Sequence, residues 1–425
     1  MKPITTIPPL HWILFAAATM SLGWGLRGFI GGGPLGAMIP GAMIGLALAL
    51  LLRLDSSQTA RLLAFSAVGI GFGGDMTYGQ TVGLSFQPET YWWAILGFAI
   101  KGGTWGLLGG AIMGMALAPP SRRMLAATLA SMLAATWLGW RLINDPKLLY
   151  FSNPNDKPRP EIWAGLILAA LTVMALHGAY VRRFAVCGVI GGGIGFALGA
   201  AIQVWGRGHA MDYFSDWWKV MEFTFGALLG AGFAWAAWSL EPMAVESGER
   251  EPDTPLLASL TSAALAVAII LALVPYFEER IHIRFSYTVA GALLLLLSTR
   301  SPAVAREVGI AVTCCAFFAD LYEDRPQTSY WLAVGLIAVA TAAIAWFVHR
   351  TRCTVQLFLL ITWTAVADSL LKSYLPGPRK AAHVVQAIFV VLALICTLYR
   401  DRFSAPPPLS TPPLAPGAPG DRITA

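Results

Sequence analysis

The chain reads as an all-α polytopic membrane protein of about 14 transmembrane helices, and three observations predict this. Apolar runs of roughly 17 residues or more recur along its length. Hydrophobic residues make up 56% and charged residues 12%, with a mean hydropathy of +0.64, which excludes an ordinary soluble globular domain. Arginine pairs punctuate the runs, so the net charge of +6 reads as topology information and not as a nucleic-acid patch.

The predicted spans lie near 10–27, 35–52, 62–84, 91–117, 124–141, 161–180, 184–205, 217–238, 256–275, 285–299, 304–321, 330–348, 354–374 and 382–398. The opening run follows a single Lys2 and lacks a small-residue cleavage site, so it reads as an uncleaved first helix. Arg53 with Arg61, Arg122 with Arg123, Arg182 with Arg183 and Arg350 with Arg352 fall on alternate connections. This pattern places both termini in the cytoplasm of a cell with an inner membrane, although Arg141, Lys147, Lys157 and Arg159 in the loop 141–161, and Arg379 with Lys380, fall on the opposite side. In this orientation 28–36 and 141–161 are external.

The N-terminal half shows an internal repeat. Leu22-Gly23-Trp24 recurs as Leu138-Gly139-Trp140, each followed by an arginine, Arg27 and Arg141. Gly69-Ile70-Gly71-Phe72 with Gln80 recurs as Gly193-Ile194-Gly195-Phe196 with Gln203. Trp92-Trp93 recurs as Trp217-Trp218, and Thr104-Trp105-Gly106 as Thr224-Phe225-Gly226. Four anchors in one order, about 115–125 residues apart, predict a tandem duplication of parallel four-helix repeats, because an even number of spans preserves orientation. The units are then 1–118 and 119–240 as repeats, an acidic Pro-containing linker 241–255, a six-helix membrane region 256–402 and a Pro-rich disordered tail 403–425.

Glycine-rich faces at 102–114 and 188–199 have the small-xxx-small spacing that lets membrane helices approach closely. Gly31-Gly32-Gly33-Pro34 is too flexible for regular helix and predicts a re-entrant segment at 28–36, whose amides would face an anion.

Candidate site residues come from charge in apolar surroundings. Asp75 and Lys101 each lie about ten residues from the turn joining two adjacent runs, level with each other and about 15 Å deep, which predicts an ion pair. A structural pair fixing two helices is the plain alternative to a working one. Glu222 lies about 7.5 Å below the end of its span and is placed to face the same cavity. Arg27, Arg141 and Arg207 offer guanidinium forks that suit carboxylate or phosphate, or else anchor the helices at the headgroups. Gln80 and Gln203 add hydrogen-bonding groups, and His209 with Asp212 has the i, i+3 spacing of a base and its orienting acid. Cys187, Cys314, Cys315, Cys353 and Cys396 show no CxxC spacing, and the chain offers neither a metal-ligand set nor a cofactor fingerprint.

Two functions fit this pattern. The first is a transporter or permease for a small polar, anionic or sugar-like solute, with Arg27, Asp75, Gln80, Lys101, Arg141, Gln203, Arg207 and Glu222 around a site between the repeats that opens to the external face. The second is an integral membrane transferase or hydrolase acting at that face on a lipid-linked or phosphorylated substrate, with His209 and Asp212 catalytic. The expected partners are the lipid bilayer and that solute or lipid-linked substrate, with no nucleic acid; the sequence leaves the oligomeric state open.

Overall fold

A computed structural model describes residues 7–153, 161–209, 216–240, 253–323, 329–374, 383–400 and 403. The described residues form helices and connecting turns with no strands, and ten helices are long and apolar enough to cross a membrane. This is the architecture of a polytopic membrane protein. The other four predicted segments fall on shorter helices.

Helix α1 (Pro9–Ile30) starts with proline at its first position, where the missing N–H costs nothing. α2 (Gly33–Leu52) follows after only Gly31 and Gly32. The predicted re-entrant segment at 28–36 is therefore a tight connection between two long helices. Gly31 at φ 150° and Gly33 at φ 69° take the backbone angles that make so short a reversal affordable.

α3 (Ser56–Phe72) opens with a reciprocal cap between Asp55 and Gln58. Where the sequence predicts one span over 62–84, the helix stops. Gly73–Asp75 is a single 3-10 turn, Met76 is extended, and a short α4 (Gly79–Ser85) resumes the path. Two causes act together. Adjacent Gly73 and Gly74 weaken the helix by about 1 kcal/mol each relative to alanine. Gly74 also lies so close to Pro34 that a Cβ there would overlap its backbone. The carbonyl of Ile70, deprived of its helical partner, accepts the indole N–H of Trp105 at 3.1 Å.

α5 (Tyr91–Leu117), α6 (Arg122–Gly139, extended by a π turn to Asn144), α7 (Trp163–Leu176), α8 (Ala179–Gly208) and α9 (Trp217–Trp238) complete the first half. In α5 and α8 the glycines meet face to face. A Cβ on Gly106 would overlap the Gly188 carbonyl, and one on Gly102 the Gly192 carbonyl, as the small-residue spacing implies.

Helices α1, α2, α3, α5, α8 and α9 each pack on the next, and α9 returns to α1, closing a ring of six. Trp24, Trp105, Phe196 and Phe225 fill its centre, with Trp24 edge-on to both Trp105 and Phe225 at 5.3 and 4.5 Å. α6 and α7 pair outside the ring, with α7 against α5.

The later helices are α10 (Leu256–Ala268), α11 (Val274–Glu279), α12 (Ser286–Ser298), α13 (Pro302–Arg306), α14 (Val312–Glu323), α15 (Tyr330–Arg350), α16 (Thr354–Tyr374) and α17 (His383–Tyr399). They cover one side of the ring: α12 and α13 pack on α3, α16 on α2 and α17 on α1. The predicted linker and tail fall largely outside the described residues.

Candidate functional site

The end of the ring where α1 finishes and α5 and α9 begin, called the upper end below, holds most of the buried charge. Arg27 is in the last turn of α1 and only 2% exposed. Its guanidinium sits over the rings of Trp24, Tyr78 and Trp105, 5.3–5.6 Å from their centroids, a desolvated cation–π setting. One terminal nitrogen donates to the Tyr78 hydroxyl at 2.7 Å, while Nε has no hydrogen-bond partner among the described residues.

The Tyr78 hydroxyl in turn donates to Glu222 Oε1 at 3.1 Å, and the Trp218 indole N–H donates to the same oxygen at 3.0 Å. Lys219 Nζ holds Oε2 at 2.6 Å, one turn away on α9. Glu222 is wholly buried against Gly28, where a Cβ would overlap its carboxylate. That explains the glycine one residue after Arg27.

The break between α3 and α4 is what brings Tyr78 into this network. Continuous helix would carry it on past the ring wall; the extended Met76 turns it inward over Trp105 and Phe196. Tyr78 and Trp218 lie 5.6 Å apart ring to ring, and both Gly79 and part of Trp218 reach the surface. Beneath the network the four-ring aromatic plug is fully buried.

The expected Asp75–Lys101 pair is not formed. Lys101 Nζ donates to Glu161 at 2.8 Å and to the Thr81 hydroxyl at 2.8 Å. Glu161 also accepts from the Phe151 N–H, Ser152 Oγ and Trp163 Nε1, so it ties both ends of the 150–162 connection to α5. Asp75 points the other way and accepts from the backbone N–H and hydroxyl of Thr288 at 3.0 and 2.6 Å. A carboxylate on the first turn of α12 meets the positive end of that helix dipole. Spacing along a helix does not fix azimuth, and the interruption after Phe72 turns Asp75 toward α12.

The other candidates scatter. Arg141 is exposed on the π turn after α6 and pairs with Asp145, far from the buried setting of Arg27. Arg207 is exposed over the Phe86 ring. His209, also exposed, engages the Trp205 carbonyl through Nδ1 at 2.7 Å. Asp212 lies outside the described residues. Gln80 is partly buried on α4. Gln203 is wholly buried on α8, and neither its amide oxygen nor its amide nitrogen has a partner among the described residues. Antiparallel contacts of Gly199 with Met221 and of Gly206 with Trp217 set it level with Trp218 and Lys219.

Sequence reasoning missed Lys219, Tyr78 and Glu161. The i, i+3 spacing of Lys219 and Glu222 was a usable signal. Tyr78 and Glu161 carried none, since their roles depend on the helix break and on a long connection folding back. Among the described residues no cluster of three or more histidine, cysteine or acidic side chains is arranged to hold a metal. Compared with known proteins, the chain matches no family model and no curated protein.

Proposed function

We propose that the chain is a transporter for a small polar anionic solute, with its site at Arg27, Tyr78, Lys219 and Glu222. The observation that carries this reading is an interrupted helix beside a buried, cation-rich network. Discontinuous helices are tolerated at membrane depth where they line a binding cavity, and their loose ends give the hinge that alternating access requires. Buried ionisable groups in a membrane bundle are costly and mark solute pathways. Gly79 and part of Trp218 reach the surface beside the network, while the four aromatic rings below it are fully buried, which supports an occluded state closed more lightly on the upper side.

In this reading Arg27 and Tyr78 come from the first proposed repeat and Lys219 and Glu222 from the second, so the site lies at the repeat junction. The upper end is external, and the N- and C-termini are cytoplasmic in an inner membrane. The enzyme reading has less support, because His209 is spent on its own helix and Arg141 and Arg207 point away from a common centre.

The test is flux. Purified protein in liposomes is expected to accumulate radiolabelled small organic anions against empty-liposome controls, and Arg27→Met to abolish that uptake while eluting as a folded protein. Uptake in Arg27→Met equal to wild type sinks the proposal.

A further inference from the structure

We propose that Glu222 is the resident occupant of a carboxylate site, and that a small organic monocarboxylate exchanges with it on Lys219, Trp218 and Tyr78. This rests on the transport reading and gives its solute a chemical class.

The geometry around Glu222 is that of carboxylate recognition. Both oxygens are engaged separately, Oε1 by a phenol and an indole N–H and Oε2 by an ammonium. These donors read a flat group with two acceptor oxygens and one negative charge, and charge-assisted bonds of this kind are the strong ones. A ligand with the same two oxygens can take the same three donors. A spherical halide satisfies at most part of the set.

Charge balance makes the exchange reasonable. The network contains two cations, Arg27 and Lys219, and one acid, Glu222, all less than 5% exposed. Among the described residues one positive charge is left without an ionic partner, in surroundings where uncompensated charge is expensive. A bound monoanion balances that charge. Two further features support such a ligand: among the described residues Arg27 Nε is buried without a partner, and the Gln203 amide, wholly buried at the level of Trp218 and Lys219, has both its atoms unsatisfied. Buried polar atoms that stay unpaired are uncommon in finished protein interiors. Gln203 also lies two turns from Phe196, which contacts Tyr78 and Phe225, so it belongs to the inward stripe of α8.

Trp218, Trp24 and Trp105 line the site and report its occupancy, so the experiment is tryptophan fluorescence of the full-length protein in detergent. Sodium acetate and sodium benzoate are titrated against sodium chloride at constant ionic strength. Wild type is expected to give a saturable response to the carboxylates and none to chloride. Glu222→Gln removes the competing charge and is expected to bind acetate about tenfold more tightly, or 1.4 kcal/mol. Trp218→Phe removes one donor and is expected to bind about threefold more weakly. A response to chloride equal to that to acetate overturns the carboxylate assignment. Unchanged or weaker acetate binding in Glu222→Gln overturns the exchange, as does unchanged binding in Trp218→Phe should Glu222→Gln fail to fold. The two proposals fail separately: tighter acetate binding in Glu222→Gln without wild-type flux leaves a carboxylate receptor, whereas flux with no effect of Glu222→Gln leaves a transporter with another solute contact.

Discussion

Lys101→Met is the perturbation that best separates a latch from a working charge. Lys101 and Glu161 are both buried, and the 2.8 Å bond between them is one of two that hold the ammonium. Removing one member of a buried pair costs about 3–5 kcal/mol, because the other charge stays desolvated. In Lys101→Met the stranded Glu161 keeps three neutral donors, Phe151 N–H, Ser152 Oγ and Trp163 Nε1, which sets the expected loss at the low end, about 3 kcal/mol. In Glu161→Gln the stranded Lys101 keeps the Thr81 hydroxyl, and the loss is expected nearer about 5 kcal/mol. The double variant is expected to lose less than the sum, with a coupling of about 2 kcal/mol or more. Equilibrium unfolding in mixed micelles, titrated with sodium dodecyl sulfate and read by circular dichroism, measures all three. A loss below about 1 kcal/mol in Lys101→Met, or additive losses in the double variant, refutes the latch.

Other consequences are as direct. Asp75→Ala removes the acceptor for two Thr288 donors and is expected to cost about 1–2 kcal/mol, with Asp75→Asn costing less; the same unfolding titration checks it, and a cycle with Lys101→Met is expected to show coupling under about 0.5 kcal/mol. Gly106→Val drives a side chain into the Gly188 carbonyl and is expected to cost about 3 kcal/mol or prevent folding, whereas Gly32→Ala, with no atom near its Cβ position, is expected within about 0.5 kcal/mol of wild type. Size-exclusion profiles and thermal midpoints separate the two. Arg141→Ala and His209→Ala change exposed groups and are expected to leave organic-anion flux unaltered; loss of flux in His209→Ala would reopen the enzyme reading.

The membrane class, the helix positions and the small-residue faces were legible because they depend on composition and on spacing along a single helix. The glycine runs implied close helix packing but not that Gly106 would meet Gly188. The site was legible only in part. Arg27 and Glu222 stood out as charges in apolar runs, but what each one touches depends on rotation about the helix axis and on where α3 breaks. The sequence reading placed a break at 31–34 and none at Gly73–Gly74, which it put inside a single span over 62–84. In the fold the 31–34 cluster makes a tight reversal, while Gly73–Gly74 interrupts a span, because Gly74 is pressed against Pro34 and Trp105 is placed to satisfy the freed Ile70 carbonyl. Those partners come from distant parts of the chain, and periodicity carries no trace of them. The sequence similarity of Arg27 and Arg141 likewise says nothing of burial, which separates an enclosed cation from a surface one.

The central claim is that the working charges are those enclosed around Arg27, not the Asp75 and Lys101 contacts or the exposed arginines. One flux experiment tests it: organic-anion uptake into liposomes of one lipid composition, for wild type, Arg27→Met, Asp75→Asn and Arg141→Ala at matched protein content. The account predicts uptake in wild type, Asp75→Asn and Arg141→Ala, and none in Arg27→Met. Uptake retained in Arg27→Met, with loss in Asp75→Asn, would contradict it.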